Sequence, residues 1–77
     1  MQRHVFIATR LGWDENKDVV WFDADKYTRE EAESHFVPVA CMTEKKVGYV
    51  PYTAYDYDGV RYHDFHYVGL RDEENMP

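Results

Sequence analysis

Val47-Gly48-Tyr49-Val50-Pro51-Tyr52-Thr53-Ala54-Tyr55-Asp56-Tyr57-Asp58-Gly59-Val60-Arg61-Tyr62-His63-Asp64-Phe65-His66-Tyr67-Val68-Gly69 is the stretch that decides the fold. Tyrosine, valine and phenylalanine alternate with polar residues on either side of Asp58-Gly59. That dipeptide suits a two-residue type I′ turn, because both central positions need φ > 0. The stretch therefore predicts a hairpin of Val47 to Tyr57 with Val60 to Gly69. The turn sets an expected register: Tyr57 with Val60, Asp56 with Arg61, Tyr55 with Tyr62, Ala54 with His63, Tyr52 with Phe65 and Val50 with Tyr67. On that register Val50, Tyr52, Ala54, Phe65 and Tyr67 form the core face. Tyr55, Tyr57, Val60 and Tyr62 form the outer one, with an Asp56–Arg61 ion pair near the tip.

Working outward, Val37 to Thr43 reads as a further strand, turned by Glu44-Lys45-Lys46 into the hairpin. Before it, Thr28-Arg29-Glu30-Glu31 is a capping box, in which the Thr28 side chain and the Glu31 side chain satisfy each other's backbone N–H groups. The helix it opens is short, because Val37-Pro38 disfavours continuation, and Ala32 and Phe36 are its expected buried pair. His4 to Leu11 and Asp18 to Ala24 read as two strands joined by a charged loop. The order is ββαβββ, and the expected class is α+β: one short helix on a mainly antiparallel sheet of about five strands. Residues 1–70 form a single domain on this reading, and residues 71–77 a polar, flexible tail.

The chain has 77 residues, a net charge of −6, and 44% apolar and 17% aromatic residues. That is one small domain, too apolar for a disordered acidic tail. The single cysteine, Cys41, excludes an internal disulfide and is expected to be a buried, inert thiol. The N-terminal apolar run is too short for a signal peptide and no stretch has transmembrane length, so the expected setting is the cytoplasm, without membrane contact.

The acids are clustered. Asp14, Glu15, Asp18, Asp23, Asp25, Glu30, Glu31 and Glu33 are opposed only by Lys17, Lys26 and Arg29, about −5 over this segment. The glutamates of the capping segment have a structural reason to be there, since a helix N-terminus favours negative charge. The remaining acids make a local field that attracts basic surfaces and repels nucleic acid.

Catalysis finds little support. The chain has no glycine-rich phosphate loop and no nucleophile elbow. Ser34 and His35 are adjacent on the helix and point apart. His63 and His66 lie three apart on a strand and face opposite ways. Asp14-Glu15-Asn16-Lys17-Asp18 opens like a calcium loop, with Asp25 at the twelfth position, but Val19 stands where the turn needs glycine. The reading is therefore of a protein that is not an enzyme and takes no cofactor or metal, with a cation-binding module as a minor alternative.

Two binding classes remain. In the first, the chain is a small acidic inhibitor or regulator. Asp14, Glu15, Asp18, Asp23, Asp25, Glu30 and Glu33 stand in for phosphates on the basic surface of a nucleic-acid-binding protein. Trp13, Tyr55, Tyr57 and Tyr62 add aromatic contact. In size, charge and lack of motifs the chain resembles small acidic phage proteins directed against host DNA-binding proteins, a likeness of composition only. In the second, it is a structural or accessory subunit that dimerises or binds a partner through an aromatic sheet face. Direct nucleic-acid binding is disfavoured, because Arg61 is the only cation beside the tyrosines.

Overall fold

The Asp58-Gly59 turn forms as its chemistry requires, with φ of 50° at Asp58 and 77° at Gly59. The computed structural model describes residues 1–12 and 16–75. Among the described residues five strands and one α-helix follow in the expected order: β1 (Gln2–Arg10), β2 (Lys17–Asp23), α1 (Arg29–Glu33), β3 (Val37–Lys45), β4 (Gly48–Tyr57) and β5 (Val60–Asp72), with a 3₁₀ turn at Glu73–Asn75. All pairings are antiparallel, and the sheet order is β2-β1-β5-β4-β3. The helix is a single turn of five residues. The domain is thus mainly antiparallel β with one brief helix, and the α+β description holds only in that coarse sense.

Hairpin β4–β5 starts in the expected register and then departs from it. Tyr57↔Val60, Asp56↔Arg61 and Tyr55↔Tyr62 pair, and Arg61 grips Asp56 bidentately at 2.8 and 3.2 Å. The expected pairs of Ala54, Tyr52 and Val50 with β5 do not form. From Tyr62 onward β5 pairs with β1 instead, out to Gln2↔Asp72, while β4 pairs along its length with β3. Sheet and arm therefore fork beyond Tyr55 and Tyr62.

Two features explain the fork. Pro51 lies opposite Met42 and Pro38 opposite Tyr55. A proline is tolerated inside a ladder only where its missing N–H faces away from the partner strand. For Pro51 that direction is the side on which β5 would have paired. The second feature is a bulge in β5: Arg10 pairs with Tyr62 but Thr9 with Asp64, leaving His63 as the extra residue. Val68 is extra in the same way between Phe6↔Tyr67 and Val5↔Gly69. Each bulge shifts the alternation by one residue and so changes which side chains face the core.

The face assignment is corrected accordingly. Tyr62, Phe65 and Tyr67 all turn to the core, and Tyr55 and Tyr57 join them. The core is centred on Phe6, which is fully buried and has ring contacts with Phe22, Phe36, Phe65 and Tyr67 at 5.2–6.0 Å. Phe36 stacks on Phe65 at 4.3 Å with 10° between planes. The predicted Ala32–Phe36 pair is buried, and the Thr28–Glu31 capping box is present in both directions. Helix α1 is thereby pinned over the sheet, and Arg29 lies 4.3 Å over the Tyr67 ring.

The tail boundary also moves. Strand β5 runs to Asp72, the Glu73 N–H donates to the Met1 carbonyl at 3.2 Å, and Arg3 meets Glu73 at 3.2 Å. Residues 71 and 72 thus continue strand β5, and Glu73–Asn75 forms a short 3₁₀ turn. The molecule measures 49 × 23 × 19 Å, elongated by the β3–β4 arm.

Phe6→Ala is expected to lower unfolding free energy by about 3–5 kcal/mol. Val47→Ala at the arm tip should change it by less than about 0.5 kcal/mol. Urea denaturation of the two variants measures both.

Candidate functional site

Asp18 and Asp23, at the two ends of β2, do not share a face. Asp18 is turned to the core side of β2, where Arg10 binds it at 2.7 Å and the Tyr62 hydroxyl donates to it at 2.8 Å. These two bonds, Arg10's first, hold the Asp18 carboxyl below its ordinary range. Burial, reinforced by the hydrogen bond to Asp18, pushes the Tyr62 hydroxyl up to about 12. Glu33 is bound by Arg29 at 2.8 Å and Glu31 serves the capping box. Asp23 lies opposite Arg3 in the β1–β2 register, on the face opposite to Asp18. Asp18 and Asp23 are separated by about 17 Å of strand. Asp23, Asp25 and Glu30 form no ion pair among the described residues. Asp14, Glu15 and Trp13 lie outside the described residues.

The tyrosine patch expected on the outside is not there. Tyr62 is 3% exposed and Tyr55 and Tyr57 are half-buried against the core. Tyr57 is raised, first by burial and then by Asp58. The calcium-like spacing is also corrected: Lys17 to Asp23 is strand β2, and Asp18 is committed to Arg10 and Tyr62. Among the described residues, no group of three or more His, Cys, Asp or Glu side chains could hold a metal ion, and no helix is long and apolar enough to cross a membrane. Cys41 is half-exposed on β3 opposite Tyr52 rather than buried.

Two features were missed by sequence reasoning. His4 is buried, with Nδ1 2.9 Å from the Tyr67 hydroxyl and Nε2 2.9 Å from the Tyr27 carbonyl. A carbonyl only accepts, so Nε2 carries the proton and, in a neutral ring, Nδ1 accepts from Tyr67. The partners are 23 and 63 residues away in the chain, so no local signal reveals them.

The second is the β3–β4 arm. Met42, Val47, Tyr49 and Val50 are all exposed on it, Val47 at 91% and Tyr49 at 69%. Lys45 and Lys46 outnumber Glu44 there, making the arm net positive in a chain of net charge −6. Along it, Leu11, Thr43, Lys45, Val50, Pro51, Tyr52 and His63 line an open cleft of about 390 Å³. Tyr49, Pro51 and Tyr52 are visible in the sequence, but there they read as part of a β4–β5 hairpin.

Comparison with known proteins finds no matching family model, no matching curated protein and no matching solved structure.

The Tyr62–Asp18 bond predicts a pH signature. Folded Tyr62 keeps its proton up to about 12, whereas the unfolded chain releases it near 10. Its contribution to stability is therefore full below pH 10 and is lost as pH rises toward 12. Asp18 acts in the opposite sense: its contribution is full above the ordinary 3.8 and is lost as pH falls through its lower folded value. A phenolate absorbance titration should show one of the seven tyrosines ionising last, and earlier in Asp18→Asn. Seven tyrosines ionising together near the ordinary value would refute the assignment.

Proposed function

We propose that this protein is a non-catalytic protein-binding module, a small regulator or accessory subunit, that contacts its partner through the β3–β4 arm. One observation carries the reading: Met42, Val47, Tyr49 and Val50 are solvent-exposed on an arm that leaves the sheet. Such a concentration of exposed apolar side chains on a small domain marks a contact surface. Tyrosine supplies large contact area at low entropic cost. The lysines at the tip favour a partner whose apolar patch is rimmed by acids.

Phosphate mimicry by the acidic segment is supported less well. It needs a row of unneutralised carboxylates along one face. Asp18 and Glu33 are already bound by arginines, and Asp23 faces away from Asp18. The net charge of −6 disfavours direct contact with nucleic acid.

A Val47→Asp/Tyr49→Ser variant is expected to keep the far-UV circular dichroism spectrum and urea midpoint of the wild type. It should lose the partner recovered by the wild-type chain in an affinity pull-down. An Asp23→Asn/Asp25→Asn variant should retain that partner. Loss of the partner in the carboxylate variant alone would reject the arm as the contact surface and favour mimicry.

A further inference from the structure

Strand β2 is the outer strand of the sheet at the end away from the arm. Its register with β1 shows which of its backbone groups face outward. The Arg10 N–H donates to the Asn16 carbonyl at 2.7 Å and the Ala24 N–H to the Gln2 carbonyl at 3.1 Å. Residues 16 and 24 thus belong to the hydrogen-bonded pairs with β1, as do 18, 20 and 22 between them. The alternate residues Lys17, Val19, Trp21 and Asp23 turn their backbone groups to the open edge. The Asp23 carbonyl is occupied by the N–H groups of Lys26 and Tyr27.

Edge strands of soluble proteins are commonly guarded by proline or by inward charges. The other outer strand, β3, has such a guard in Pro38, whose missing donor faces outward. The centre of β2 is Val19-Val20-Trp21-Phe22, with no proline, and Val19 and Trp21 are 41% and 43% exposed.

The sequence of this edge is complementary to itself. When two copies of β2 are laid antiparallel about Val20, Lys17 meets Asp23 of the second copy, Val19 meets Trp21, and the same contacts repeat through the two-fold axis. All four residues share one face of the sheet. Neither Lys17 nor Asp23 has an ion-pair partner among the described residues. Directly opposed unlike charges and aromatic–β-branched pairs both favour antiparallel pairing. A slip of two residues one way sets Asp23 against Val19, and the other way sets Lys17 against Trp21. Only the register centred on Val20 satisfies charges and apolar groups together. It also places the outward-facing residues of one copy opposite those of the other, as hydrogen-bonded pairing demands.

We infer that two copies of this chain associate through their β2 edges, in antiparallel register about Val20, into one continuous ten-stranded sheet with the two arms at its far ends. The interface is isologous and closed, so assembly stops at the dimer. It is independent of the arm, which remains open to a different partner at each end.

The test is sedimentation equilibrium over a concentration series, with backbone amide exchange followed by NMR. Wild type is expected to reach the mass of two chains, and the Val19 and Trp21 amides to lose protection on dilution. Lys17→Asp puts like charges together at both symmetric positions and should raise the dissociation constant about tenfold or more, equivalent to about 1.4 kcal/mol or more. Lys17→Asp/Asp23→Lys restores the complementarity and should restore the dimer. Val19→Pro removes an outward donor without touching the β1 ladder and should leave a folded monomer. If that variant does not fold, the charge exchange decides alone. Val47→Asp should leave the dimer intact. A wild type that stays at the mass of one chain throughout overturns the inference. So does a dimer indifferent to Lys17→Asp, or one abolished by Val47→Asp.

Discussion

Tyr62 joins the two parts of the sheet. Its backbone pairs with Arg10 of β1 and with Tyr55 of β4, and on either side of it β5 exchanges one neighbour for the other. Its ring lies in the core against Phe36 at 6.1 Å, and its hydroxyl reaches Asp18 of β2 at 2.8 Å. One residue therefore ties β1, β2, β4, β5 and the segment after α1 together. A hydrogen bond from a buried hydroxyl to a carboxylate is among the stronger neutral-to-charged contacts. Without it, Asp18 and the phenol would each face a desolvation penalty with one partner fewer.

The charge distribution follows from the same arrangement. The chain is strongly acidic in the segment that forms β2, its following turn and α1, yet arginines from β1 and α1 take up Asp18 and Glu33. These pairs are largely exposed and each contributes only modestly to stability. Their effect on recognition is larger, because they remove carboxylates from the surface available to a basic partner. Asp23 lies on the sheet face opposite to Asp18. The exposed apolar surface is concentrated instead at the arm, with a second stripe along the β2 edge. A small domain that buries only part of its apolar surface commonly uses the remainder for contacts.

Features set by neighbouring residues were legible. Asp58-Gly59 specifies its turn through backbone sterics, Thr28 to Glu31 specifies its cap through two local hydrogen bonds, and Ala32 and Phe36 specify a buried pair through spacing. The first three pairs of the β4–β5 hairpin follow from the turn alone. The assignment of faces failed beyond them, because it assumed unbroken alternation. His63 and Val68 are extra residues only relative to β1, a strand more than fifty residues earlier in the chain. One inserted residue exchanges inside and outside, so Phe65 and Tyr67 came to share the core with Tyr55, Tyr57 and Tyr62, which had been expected on the surface.

The sequence by itself determined the strand and helix order, the tight turn, the capping box and the net acidity, because each depends on local conformation or simple composition. The tertiary structure decided that β5 leaves β4 for β1, that Tyr55, Tyr57 and Tyr62 face inward, that Asp18 is paired with Arg10 and hydrogen-bonded by Tyr62, and that His4 is held between Tyr27 and Tyr67. The physical reason is common to all four. Each depends on a contact between groups distant in the chain, whose pairing is fixed by sheet register and bulge position rather than by the residues on either side.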